Sequence, residues 1–95
     1  MTKAELVSEI ASRTDVNKED TLKIVEAFME TVKDTMNEGE NVYLRGFGTF
    51  QIKHRAEKTA RNISKKTTVI IPAHNIPAFK PSKTFVEDVK TATGN

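Results

Sequence analysis

Cysteine is absent from the 95 residues, which excludes disulfide bridges and thiolate metal ligands and fits a reducing compartment. No apolar run is long enough to span a bilayer. The opening segment, MTKAELVSEI, alternates charged and apolar side chains instead of building the uninterrupted core of a secretory signal. A cytoplasmic protein with no membrane association is expected. Catalytic constellations are missing as well. His54 and His74 stand far apart with no metal-ligand spacing, Gly46-x-Gly48 lacks the third glycine and following helix of a nucleotide loop, and no serine has a nucleophile context. No enzyme, metal or cofactor is expected.

Acidic residues are nearly missing from one third of the chain. Residues 53–83 hold Lys53, Arg55, Lys58, Arg61, Lys65, Lys66, Lys80 and Lys83 against Glu57 alone, a balance of +7. Residues 1–52 carry six Lys/Arg against ten Asp/Glu, and residues 84–95 carry Lys90 against Glu87 and Asp88. The overall charge of +2 therefore conceals a strong segregation. A polyanion would bind the middle segment.

Thr2 followed by Glu5 forms a capping-box pattern, and Leu6, Val7, Ile10 and Ala11 share one helical face, which predicts a helix from about Lys3 to Arg13. Asn17 is placed to cap a second helix with Glu19 and Asp20 in its first turn, near the positive end of the dipole. Leu22, Val25, Phe28, Met29, Val32 and Met36 follow the spacing of a buried stripe, and Gly39 stops the helix. The pattern then changes. Val42-Tyr43-Leu44 is β-prone, Gly46-Phe47-Gly48 reads as a turn, and Thr49 to Arg55 alternates with Phe50 and Ile52 on one face.

Between Lys53 and Thr68 only Ala56, Ala60 and Ile63 are apolar, too few for a core, yet Val69-Ile70-Ile71 resumes a strand. The geometry that fits is a β-ribbon that leaves the body after Ile52, turns near Asn62 to Lys66 and returns by about Ile76. Each limb is roughly 12 residues, or about 40 Å at about 3.3 Å per residue. Pro72, Pro77 and Pro81 punctuate the returning limb, where a missing N–H requires an edge or irregular position. Ser82 can cap a last short helix with Phe85, Val86 and Val89 facing inward. A body of about 70 residues is near the size at which one core rarely suffices, so dimerisation is the expected supplement. Phe47, Phe50, Phe79 and the Phe28/Met29 stripe are read as packing residues, not as base-stacking platforms.

Gly46-Phe47-Gly48-Thr49-Phe50, the basic residues at 53, 55, 58 and 61, and Pro77-Ala78-Phe79-Lys80-Pro81 together resemble the signature of the HU/IHF family of bacterial histone-like DNA-bending proteins, closer to HU. The resemblance spans essentially residues 1–95 as one domain: helical hairpin and start of the sheet to residue 52, arm from 53 to 76, return and last helix from 77. It implies an α+β fold with an N-terminal helical hairpin, a small antiparallel sheet extended into a long β-ribbon arm, a short C-terminal helix and an intertwined dimer, a homodimer in the simplest case.

It further implies non-specific or weakly specific binding and bending of double-stranded DNA, with the arms along the minor groove, and a place in the nucleoid. Basic side chains on an exposed ribbon neutralise phosphates and release counterions, which is a sequence-independent and salt-sensitive source of affinity. The expected contacts are Lys53, Arg55, Lys58, Arg61, Asn62, Lys65 and Lys66 on the arm, Lys80 and Lys83 where it rejoins the body, Lys3 at a helix start, and the backbone around Gly46 and Phe47. The tip departs from the family's Arg-Asn-Pro: it reads Arg61-Asn62-Ile63, so Ile63 takes the place of the proline wedge. Isoleucine is one of the apolar residues that serve as minor-groove wedges. Ala60 and Lys66 stand where glycines are usual. Two rival readings are a sequence-specific bending factor of the IHF kind and an interaction module whose arms bind RNA or an acidic protein.

Overall fold

The computed structural model describes residues 1–62 and 67–94, which form two compact units, Met1–Thr35 and Met36–Asn95. The first unit is a helical hairpin. Helix α1 spans Lys3–Thr14 and α2 spans Lys18–Asn37, continuing into the second unit. Both starts are specified locally. The Glu5 N–H donates to Thr2 Oγ1 at 3.2 Å while the Thr2 N–H donates to the Glu5 carboxylate at 3.4 Å, closing the capping box. The Asp20 N–H donates to Asn17 Oδ1 at 2.8 Å, and the Thr21 hydroxyl donates to the Asn17 carbonyl at 2.8 Å. Helix α1 runs one residue beyond the expected Arg13, because Thr14 is still helical and Asp15 takes the left-handed conformation (φ 58°) that ends it.

Val7, Ala11 and Thr21 are the buried residues of this hairpin. The stripe expected to be buried on α2 is not: Leu22, Phe28 and Met29 are exposed, and Val25, Val32 and Met36 are half-buried. Two helices cover only one side of each other, and the remaining apolar surface forms an open groove lined by Leu6, Ile10, Val16, Ile24, Val25 and Phe28.

In the second unit, Gly39 ends α2 at φ +87° with its N–H donating to the Met36 carbonyl at 3.0 Å. Five strands follow: β1 (Val42–Leu44), β2 (Gly48–Arg55), β3 (Lys58–Asn62), β4 (Thr67–Ile71) and β5 (His74–Pro81). Strands β1, β2 and β5 form an antiparallel sheet with β2 at its centre, and β3 pairs antiparallel with β4. The arm is thus one ribbon interrupted once. Pairing runs to Arg55↔His74, lapses over two residues on each strand, and resumes at Lys58↔Ile71 in the same register. Pro72 falls opposite Glu57 in that register. With no N–H it has nothing to donate across the ribbon, which accounts for the interruption. Pro77 and Pro81 lie on β5, an edge of the three-stranded sheet, where prolines are tolerated.

Helix α3 spans Lys83–Ala92, and the Phe85 N–H donates to the Ser82 hydroxyl at 3.2 Å, as the expected cap requires. Phe85 turns inward and joins Phe47, Phe50 and Phe79, with neighbouring ring centroids 4.9 to 5.4 Å apart. Val86 and Val89, also expected to face inward, are exposed and line a second open apolar groove with Phe79 and Pro81.

Candidate nucleic-acid interface

Alternation along β2 and its partners divides the sheet into two chemically distinct faces. Phe50, Ile52, Phe79 and Pro77 share one face, and Val42 and Leu44 join them from β1. Thr49, Gln51, Lys53 and Arg55 share the other with Tyr43, Lys80, Ile76 and His74. The first face assembles the phenylalanine cluster. The second places Lys53, Arg55 and Lys80 together, all exposed. Among the described residues the ion pairs are Arg13 with Glu9 and Lys33 with Glu30, both within helices. No arm or sheet cation is neutralised by a neighbouring carboxylate there.

Farther along the ribbon the same register puts Arg61 opposite Thr68 and Lys58 opposite Ile71. Pleat alternation therefore keeps Arg61 on the face of Lys53 and Arg55, while Lys58 lies on the opposite face. Lys65, Lys66 and Ile63 lie outside the described residues, as does the side chain of Asn62. Lys3 opens α1 in the other unit. Lys80 and Lys83 come together at the root of the arm, beside the turn between β1 and β2.

That turn is held in place from several sides. Phe47 donates its N–H to the Leu44 carbonyl at 3.0 Å, and its own carbonyl accepts from the Ser82 N–H at 2.9 Å. The Ser82 hydroxyl donates to the Gly46 carbonyl at 3.1 Å. The Gly46 N–H is left without a partner among the described residues. The two glycines around Phe47 have separate structural causes. Gly46 sits at φ +82°, where L-residues are strained, with open space where a Cβ would be. A Cβ on Gly48 would stand 2.6 Å from the Lys80 carbonyl and 2.6 Å from the Phe79 ring.

Sequence reasoning passed over two residues here. Tyr43 and Arg45 line the same shallow depression as Gly46, Lys80, Ser82 and Lys83, so three cationic residues share that depression with Gly46. Arg45 directly precedes the Gly-Phe-Gly turn, which was the available signal; counting charge by segment assigned it to the acidic half. The histidines are occupied locally: His54 Nδ1 lies 3.0 Å from Asn75 Oδ1, and His74 Nδ1 donates to the Pro72 carbonyl at 2.9 Å. Among the described residues no three His, Cys, Asp or Glu side chains gather around a common point.

Helical hairpin, two-faced sheet and cationic ribbon define an α+β protein built around a basic β-arm. The chain belongs to the bacterial DNA-binding protein family, which matches residues 1–90. It is 35% identical to DNA-binding protein HU of Xylella fastidiosa over 99% of this chain and 100% of that one. It is 38% identical to DNA-binding protein HU of Clostridium pasteurianum over 94% and 98% of the respective chains. Among solved structures it resembles the Anabaena HU–DNA cocrystal structure, with a TM-score of 0.89 and 35% identity over 94% of this chain and 97% of that chain. A mutant of HU from Thermotoga maritima matches with a TM-score of 0.71 and 27% identity over 95% and 100% of the two chains.

Proposed function

We propose that this chain is a dimeric architectural protein that binds and bends double-stranded DNA with little or no sequence preference, as a histone-like component of the nucleoid. The observation that carries this reading is the row of exposed, carboxylate-free cations, Lys53, Arg55 and Lys80, on the sheet face opposite the phenylalanines, continued onto the ribbon by Arg61. Such a surface exchanges condensed counterions for protein cations at the phosphate backbone. Apart from the phosphate terms, wedging between base steps converts binding into bending, and Ile63 is our candidate wedge.

Residues 1–95 act as one functional domain in the cytoplasm. Two copies join through the apolar surfaces that a single chain leaves open: the hairpin groove and the groove beside Phe79, Val86 and Val89. A homodimer is the simplest assembly. Lys53, Arg55, Lys58, Arg61, Asn62, Lys65 and Lys66 contact DNA from the arm, and Lys80 and Lys83 from its root. Lys3 contacts DNA from the start of α1 and the Gly46–Phe47 backbone from the turn between β1 and β2, and Arg45 is added to these. Its position supports a phosphate contact in which the Gly46 N–H donates alongside the guanidinium.

The deciding experiment is end-to-end energy transfer in a doubly labelled duplex of about 35 base pairs, a length whose smooth bending costs only a few kcal/mol. Transfer should rise on saturation, with a midpoint that weakens steeply with salt. Binding without shortening removes bending from the reading. Failure to bind at low salt, with capture of RNA or an acidic polypeptide instead, replaces DNA as the partner.

A further inference from the structure

The returning strand of the arm tip is unlike the strand beside it. Strand β4, Thr67-Thr68-Val69-Ile70-Ile71, carries no charge and is exposed along its length, while β3 carries Lys58 and Arg61. Ile70 is 62% exposed, with Val69 at 47% and Ile71 at 39%. On a two-stranded ribbon, an isoleucine this open adds nothing to a core, so its side chain has no packing role within its own chain.

Its position gives it one. Ile70 pairs with Thr59, and the next pair on the same face but one step nearer the tip in pleat alternation includes Arg61, whose partner is Thr68. Because the register is unchanged across the interruption at Pro72, Ile70 lies on the same ribbon face as Lys53, Arg55 and Arg61. Val69 and Ile71 lie on the other. A polyanion drawn to those cations is therefore drawn over Ile70. A second copy of the arm laid on this face would set guanidinium against guanidinium, which disfavours self-pairing.

We infer that Ile70 makes an apolar contact with the deoxyribose C–H surface of a bound duplex, flanked by the Thr59 and Thr68 methyls, and so contributes affinity that salt does not screen. This inference rests on the DNA-binding reading above and assigns a role to a residue that is not a cation. Burial of part of one isoleucine is worth a few-fold in affinity, and because it releases no counterion it leaves the salt slope unchanged. A lysine at the same place would do the reverse, trading apolar contact for an additional phosphate contact.

The test is fluorescence anisotropy of the full-length protein on a labelled duplex between about 50 and 300 mM salt, a range over which phosphate contacts change affinity by orders of magnitude. Ile70→Ala should weaken binding by about 3- to 10-fold at every salt concentration with a parallel plot of log affinity against log salt. Ile70→Lys should steepen the slope by about 1.8, one added phosphate contact on each arm of the dimer. Ile71→Ala, on the opposite face of the same strand, should change affinity less than Ile70→Ala. Wild-type affinity in Ile70→Ala would overturn the inference while leaving DNA binding intact. Equal losses in Ile70→Ala and Ile71→Ala would also overturn it, by attributing the effect to strand propensity. Sedimentation of the protein without DNA covers the remaining case: a higher oligomer of the wild type that Ile70→Ala abolishes, with DNA affinity unchanged, would make the strand a copy-to-copy surface. A wild type that binds no duplex at all sinks the DNA reading itself.

Discussion

Gly48 is the position at which one methyl group should do the most damage. It begins β2, is buried, and pairs with Pro81 on β5. A Cβ there would approach the Lys80 carbonyl and the Phe79 Cζ to 2.6 Å, roughly 1 Å inside ordinary contact. A ring could swing aside, but Phe79 is held between Phe47 and Phe50 at centroid separations of 5.1 and 4.9 Å. The Lys80 carbonyl is backbone and moves only if β5 moves. Overpacking of this kind costs about 2–3 kcal/mol. For a chain of this size that corresponds to a fall in Tm of roughly 4–8 °C per kcal/mol, so Gly48→Ala should melt at least about 8 °C lower. Circular dichroism melts at one fixed protein concentration measure this, since association contributes to stability. Gly46→Ala is the internal comparison. It meets no atom within 4 Å and is penalised only by its positive φ, about 1 kcal/mol. A Gly48→Ala protein melting within 2 °C of wild type, or above Gly46→Ala, would refute the claim that close approach of β5 requires this glycine.

Arg55→Ala and Arg61→Ala should each lower the slope of log affinity against log salt by about 1.8, one phosphate contact from each arm of the dimer, and an unaltered slope in the double variant would place DNA on another surface. Arg45→Ala should weaken binding to unrelated duplexes to the same extent while leaving Tm unchanged; a loss confined to one sequence would instead make Arg45 a base-reading residue. Asn17→Ala removes the acceptor of the Asp20 N–H and should destabilise by about 1 kcal/mol in urea titrations with no change in salt slope. Ile63→Ala should reduce energy transfer at saturating protein more than it reduces affinity, and unchanged transfer would end its candidacy as a wedge.

The helix ends were legible in the sequence because caps are local chemistry: Thr2 with Glu5, Asn17 and Ser82 each satisfy N–H groups within a few residues. The ribbon was legible for a different reason. A stretch with six cations and three apolar residues cannot collapse, whatever its neighbours do. What escaped was set by contacts between distant segments. The spacing of Leu22, Phe28 and Met29 identifies an apolar face, but periodicity does not say what covers it, and the hairpin leaves those side chains exposed. Arg45 escaped because its relevance comes from Lys80 and Lys83, more than thirty residues away, which the sheet brings to the same depression. The glycines around Phe47 look equivalent in sequence, yet one answers to its own φ and the other to the carbonyl of Lys80.

Pro72 connects these levels. A fully paired ribbon of this length would leave two long, exposed edges, and β4 in particular offers an uncharged edge of the kind that recruits other strands. Interrupting the ladder at Glu57 and Pro72 divides it into shorter paired segments without inserting a residue, because Arg55↔His74 and Lys58↔Ile71 share one register. Preserving the register matters for the charge pattern: one extra residue on the outgoing strand would turn Arg61 away from the face of Lys53 and Arg55, and one extra residue on the returning strand would turn Ile70 away from it. A single proline thus blunts the edge while keeping the cations on one side.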